Sequence, residues 1–196
     1  MHKTQQGQAM SETALIIIDM QNDFVLEDAP MRSDGALEIV PKVKEVLDAF
    51  RMQKLPVFHV YREYRADGSD IEHTRLEAFK NQKYCLPGTK GSDIIDELYP
   101  IDGEFRIVKK RFSGFMNTEL DLMLRRLNIR KIVVCGIQYP NCIRATVFDG
   151  IALGYDVTLL TDATAAKTPE VAQANIFDMQ NIGVACISVH HFLGAL

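Results

Sequence analysis

The stretch KIVVCGIQYPNCIRATVFDGIAL, residues 131–153, decides how this chain is read. KIVVC is short, β-branched and almost continuously apolar, the pattern of a strand buried on both faces. GIQYPN is a tight connection marked by glycine and proline. The remainder reads as a helix running to about residue 153, and Cys142 opens it. A strand, a glycine-bearing turn and a nucleophilic residue at the next helix start share the logic of a nucleophile elbow. The helix N-terminus brings free N–H groups and partial positive charge to the sulfur, which favours thiolate and can hold an oxyanion.

Working outward, the same alternation runs from end to end. Candidate strands lie at 14–19, 56–61, 105–109, 131–135, 156–160 and 184–189. Between them, Ile39, Val43, Val46, Leu47 and Phe50 share one helical face, as do Leu120, Met123, Leu124 and Leu127. Thr118 with Asp121 reads as a capping box for the second of these helices. Thr168-Pro169 reads as an N-cap and first-turn proline of the last one, which stops near Gly183. Strands alternating with helices predict a three-layer α/β/α fold with a parallel central sheet. Residues 62–103 are the least regular part, with one helix expected at 71–79 and long loops that shape a ligand site. Without repeats or a Gly/Pro/Ser linker, the reading is one domain over 13–196 behind a mobile tail at 1–12.

Composition narrows the functional classes. Of 196 residues, 47% are hydrophobic and 24% charged, and the net charge is -4, so neither disorder nor a phosphate-binding basic face fits. No nucleic-acid partner and no membrane span is expected, and the polar N-terminus without an apolar signal core predicts a cytoplasmic protein. The four cysteines (Cys85, Cys135, Cys142 and Cys186) show neither CxxC nor finger spacing. Three are expected to be ordinary packed thiols. An activated Cys142 would instead be alkylated near neutral pH, well ahead of the others.

In a parallel sheet, ligands bind at the carboxyl ends of the strands. Asp19 closes ALIIID, Lys109 closes FRIVK, and Cys142 comes after KIVVC and its turn. An acid/base carboxylate, a cation and a thiol can therefore share one edge. Plainer roles exist for each: a turn aspartate, a solvated pair of Lys109 and Lys110, a core cysteine.

Four blocks carry a resemblance: LIIIDMQNDF (15–24), REYRADGSD (62–70) together with GTKG (88–91), IVKKRFSGF (107–115), and residues 136–166 beginning GIQYPNCIRATVF. In this order they resemble the isochorismatase-like cysteine hydrolases, in particular the nicotinamidase-related branch. The resemblance implies a six-stranded parallel sheet of Rossmann-like order and a catalytic triad of Asp19, Lys109 and Cys142. Lys109 is preferred to Lys110 because the family lysine stands two residues before an arginine, here Arg111. It further implies a cofactor-free amidohydrolase that cleaves a small amide or ureido compound through a thioester. The oxyanion would rest on the backbone N–H groups of Gln138 and Cys142, with a cis peptide at Ile137–Gln138. A homo-oligomer, dimer or tetramer, is implied as well. Vinyl-ether hydrolysis and a catalytically silent binding role are the alternatives; the vinyl-ether chemistry of relatives uses no nucleophilic cysteine.

Two departures matter. Tyr139-Pro140-Asn141 stands where relatives often have Thr-Asn-Val, and HVYREYR (59–65) stands where family nicotinamidases carry an Asp-x-His-x-x-His ligand set. No histidine pair has zinc-ligand spacing, His59 reads as a core histidine, and no metal is expected. Phe24, Tyr64, Phe115 and Tyr139 are candidate pocket walls, with Arg62, Arg65 or Arg111 available for a substrate carboxylate; Arg111 is the arginine carried forward as substrate-binding.

Overall fold

A computed structural model describes residues 12–196. The expected tail therefore lies outside the described residues except for Glu12, whose carbonyl accepts from Arg130 N (2.9 Å) and Lys131 N (3.0 Å). Strands β1 (Thr13–Ile18), β2 (Val57–Arg62), β3 (Phe105–Lys109), β4 (Lys131–Ile137), β5 (Asp156–Ala165) and β6 (Ala185–Ile187) form one sheet. Their order is β3-β2-β1-β4-β5-β6 and every pairing is parallel. The order reverses between β1 and β4, and a crevice opens there at the carboxyl edge.

Alternation along β1 shows why both faces are covered. Leu15 and Ile17 enter one core, with Val43, Val46, Leu47 and Phe50 of α2 (Val40–Met52). Ala14, Ile16 and Ile18 enter the other core. There they join Leu120 and Leu124 of α4 (Leu120–Arg126), Val147 of α5 (Arg144–Ala152) and Met179 of α6 (Pro169–Asn181). Short helices α1 (Asn22–Val25), α3 (Leu76–Asn81) and α7 (Val189–Gly194) complete the set. No helix among the described residues is long and apolar enough to cross a membrane.

Local chemistry places the ends. Thr168 caps α6, accepting from Val171 N at 3.4 Å, with Pro169 in the first turn. Thr118 does not form the expected capping box: Glu119 is the N-cap, and the Thr118 hydroxyl donates to Gly114 O at 2.5 Å and accepts from Leu120 N at 3.3 Å. Over 71–79, a 3₁₀ turn at His73–Arg75 precedes α3. β5 runs five residues past its expected end, because pairing resumes beyond a bulge between Val134 and Gly136, where Thr164 and Ala165 meet Gly136 and Ile137. His59 is a core residue, 1% exposed, with Nε2 2.8 Å from Glu104 Oε2. Glu104 also accepts from Arg51 Nε at 2.7 Å.

These contacts generate two predictions. Gly136 has φ +112°, and a Cβ there would stand 2.2 Å from Ile18 O. The Cβ is fixed by its own backbone and the oxygen is backbone, both in the central strand pair, so neither yields. Gly136→Ala should cost at least about 3 kcal/mol in urea unfolding, or prevent folding.

The second concerns acid. Burial pushes the His59 imidazole below its ordinary 6.5. Glu104 is opposed by burial, yet Arg51 and His59 hold its carboxyl down at about 2. Both shifts are downward, so the unfolded chain binds more protons in acid and stability falls with pH. The His59 contribution is lost below 6.5, and that of Glu104 between 4.5 and about 2. Urea midpoints should drop across this range, and Glu104→Gln should flatten the lower part.

Candidate active site

Asp19 leaves β1 in the left-handed region, φ +55°, a conformation that aspartate tolerates better than most side chains. Its N–H donates to Val60 O at 2.9 Å, and its carbonyl accepts from Gln21 N at 2.8 Å, so the turn is fixed from both sides. The next residues knit the edge together. Gln21 accepts from Arg62 N and donates to Arg62 O and Ser92 O, each at 2.8 Å. Asp23 accepts from Cys85 N at 2.6 Å, and a Cβ on Gly91 would stand 2.2 Å from its carboxylate. The DMQND block and the GTKG block are thus two sides of one contact.

Three strand ends and the elbow converge here. Lys109, wholly buried at the end of β3, donates from Nζ to Asp19 Oδ2 at 2.8 Å and to Arg111 O at 3.3 Å. Arg62, its register partner at the end of β2, lies between the two strands. Its Nε is 3.6 Å from Asp19 Oδ2, and Nη2 donates to Cys142 Sγ at 3.2 Å. On the other side Nη1 donates to Glu72 Oε1 at 2.8 Å and to the Tyr64 hydroxyl. Asp19 Oδ1 is buried and has no hydrogen-bond partner among the described residues.

After the cis peptide Ile137–Gln138, a π-helical turn, Tyr139–Ile143, leads into α5 and carries Cys142. The cysteine faces a cavity of about 450 Å³. Asp19, Phe24, Arg62, Gln138 and Cys142 line it, as do Arg75, Asn141 and the loop residues Ala29, Pro30, Met31, Arg32 and Ser33. Gln138 donates to Ser33 Oγ at 2.7 Å, which ties that loop to the elbow.

Of the expected walls, Phe24 lines the cavity and the others do not. Tyr64 is fully buried among Phe79 and Tyr84. Phe115 stacks on Tyr155, and Tyr139 donates to Thr161 O at 3.1 Å from within the core. Arg111 is used by the Asp70 and Lys110 carbonyls, at 2.7 and 2.8 Å. Packing against the core removes these groups from the cavity. Only Arg62 and Arg75 of 62–103 line it, and sequence reasoning passes over Arg75 and the 29–33 wall. The Pro, Asp and Gly cluster at 28–35 is the available signal of a loop there.

Charge and burial compete at the sulfur. Burial raises the Cys142 thiol, the negative charge of Asp19 raises it further, and Lys109 and Arg62 pull it down without cancelling these effects. The balance favours the thiol over the thiolate that a helix start by itself suggests. Burial lifts Cys85 and Cys135 strongly and Cys186 as well. Arg62 is also opposed by burial, but its acidic neighbours, Asp19 and Glu72 among them, outweigh it and keep the guanidinium protonated. Burial opposes Glu72 too, yet Arg62 holds its carboxyl below the usual range.

Where the resemblance raises a metal site, the side chains gathered at and after the end of β2 are Arg62, Tyr64 and Glu72, and the first is a permanent cation with no lone pair for a metal. Among the described residues no three His, Cys, Asp or Glu side chains come together to hold a metal ion. The residues present do not fit one.

A family model described as the isochorismatase domain matches residues 13–191. A probable inactive nicotinamidase of Arabidopsis thaliana is 44% identical, over 92% of this chain and 94% of its own length. The ureidoacrylate amidohydrolase RutB of Pantoea ananatis is 31% identical, over 97% of this chain and 84% of its own. A solved isochorismatase family protein of Desulfovibrio vulgaris superposes with a TM-score of 0.90 at 47% identity, covering 92% of this chain and 96% of that one.

Access and protonation together predict the labelling pattern. Iodoacetamide should modify Cys142 through the cavity ahead of Cys85 and Cys135. Its rate should keep rising above about pH 8.5, the ordinary cysteine range, instead of levelling off near neutrality. Peptide mapping by mass spectrometry across pH reads both.

Proposed function

The chain belongs to the isochorismatase family, and on that premise we propose that it is a cysteine-dependent amidohydrolase acting on a small amide or ureido compound. The observation that carries this reading is the cavity that exposes Cys142 beside the buried Asp19–Lys109 pair. The named activity of the Pantoea relative, on a ureido compound, supports the substrate class.

The chemistry depends on which atoms are already committed. Lys109 holds Asp19 Oδ2, leaving Oδ1 with free lone pairs to take the thiol proton. The sulfur attacks the amide carbon, and the carbonyl oxygen gains negative charge. The backbone N–H groups of Gln138 and Cys142 receive that charge, two residues that both line the cavity. Collapse breaks the C–N bond. Asp19 returns its proton to the departing nitrogen, so ammonia or an amine leaves neutral. Water then attacks the thioester, Asp19 accepts its proton, the C–S bond breaks to release the acid, and the proton passes from Asp19 back to the sulfur.

A thiol that is neutral at rest suits this sequence. The base must then sit in contact with the sulfur, and the buried Asp19 is positioned for it. The Arabidopsis relative is named a probable inactive nicotinamidase, and this chain has Arg62 and Tyr64 in place of metal-ligating groups, so nicotinamide is not the amide we propose. Assembly as a dimer or tetramer is part of the reading, as the resemblance implies.

A panel of small amides and ureido acids assayed for ammonia release tests the proposal. Cys142→Ala and Asp19→Asn should each lower kcat at least about 10³-fold on any substrate found. Full activity in Cys142→Ala would rule the mechanism out.

A further inference from the structure

We propose that Arg62 is a fourth catalytic residue, whose guanidinium holds the negative charge of the Cys142 sulfur during attack and again when the sulfur leaves the thioester. The proposal rests on the reading of Cys142 as nucleophile. It starts from a geometric fact: the hydrogen-bond donor found on Sγ among the described residues is Arg62 Nη2, at 3.2 Å. Lys109 is spent elsewhere, on Asp19 Oδ2 and Arg111 O.

The same guanidinium touches both ends of the proton transfer. Nε lies 3.6 Å from Asp19 Oδ2 and Nη2 lies on the sulfur. When the proton moves from Sγ to Asp19, the negative charge moves from the carboxylate to the sulfur. Both positions border one planar cation, so the charge stays in contact with it and no group has to reorient. In the second half of the reaction the C–S bond breaks, and the electron pair returns to a sulfur that already has its donor. Arg62 neither gains nor loses a proton in either step.

Rigidity supports the role. Nη1 is held by Glu72 Oε1 at 2.8 Å and by the Tyr64 hydroxyl, which itself donates to Glu72 Oε2 at 2.9 Å. The Phe112 ring lies 5.2 Å from the guanidinium carbon. Arg62 is 1% exposed. A structural brace would be complete with Glu72 alone; the contact with Sγ is what a brace does not need. Nη1 and Nη2 are both committed inside the protein, which turns the residue from a substrate-carboxylate candidate into part of the reacting centre.

The test is the alkylation rate of Cys142 at one mildly alkaline pH, which needs no substrate. Arg62→Gln should slow it about tenfold or more, the loss of thiolate from a rise of one pKa unit, while Cys186 reacts as before. On a substrate from the amide panel, kcat should fall about 10²-fold with KM little changed. Arg62→Lys, which restores the charge, should recover part of both. Wild-type alkylation in a folded Arg62→Gln protein overturns the proposal, as does an effect confined to KM. If the glutamine variant does not fold, Tyr64→Phe decides. It keeps the buried ring and removes the hydroxyl that helps to fix Nη1, and alkylation should slow about threefold while far-UV circular dichroism shows the fold retained. A wild-type rate there overturns the proposal too. The two readings fail separately. Turnover by Cys142→Ala defeats the nucleophile, whereas an inactive Cys142→Ala with unaltered Arg62→Gln defeats only Arg62.

Discussion

A charge withdrawn from water costs several kcal/mol unless a partner of opposite sign and good geometry goes with it. At the carboxyl edge of this sheet four charged side chains are buried in one patch: Asp19, Arg62, Glu72 and Lys109, each with at most 9% of its side chain exposed. Two are acidic and two basic, so the patch is neutral as a whole. None of them can be moved alone. Because they come from the ends of three neighbouring strands and one loop, their pairing demands that β1, β2 and β3 end in register. The Gln21 side chain, spanning the backbone of Arg62 and Ser92, secures that alignment through amide hydrogen bonds that carry no charge.

The position of the patch gives it chemical meaning. It borders the reversal of strand order between β1 and β4, where a parallel sheet leaves room for a ligand, and the elbow after β4 lowers Cys142 onto it. Low dielectric makes each contact count for more than it would in water. It also raises the Cys142 thiol, favouring its protonated form. The unpartnered oxygen of Asp19 is then less a packing defect than an acceptor left open. Under the proposed mechanism neutrality also persists, since one negative charge replaces another within the same group of cations when the proton crosses from sulfur to carboxylate.

Much of this is legible in the chain. β3 has the limits that FRIVK suggests, and α6 begins at the proline after Thr168. Asp19, Lys109 and Cys142 stand out by their places at strand ends, and the structure brings them together. The features that local pattern misplaces depend on contacts it does not encode. The polar residues Thr161 and Asp162 look like a strand end, but a bulge lets β5 resume pairing beyond them. Thr118 has the spacing of a cap, yet Glu119 takes the N-cap position and the Thr118 hydroxyl links Leu120 N to the Gly114 carbonyl. Tyr64, Phe115 and Tyr139 suit a pocket wall and a core equally by composition, and packing sends them to the core.

By itself the sequence determined the layering, the parallel direction of the strands, the order of the four family blocks and the residue types available for chemistry. These depend on periodicity and spacing along the chain, which local propensity and burial convert directly into structure. Only the tertiary structure decided the rest: that Arg62 bonds to a sulfur 80 positions away, that residues 29–33 rather than the long 62–103 segment supply most of the cavity's loop wall, and that the balance at Cys142 favours the thiol. Each depends on contacts between distant segments, and those contacts exist only once the segments have displaced the water between them.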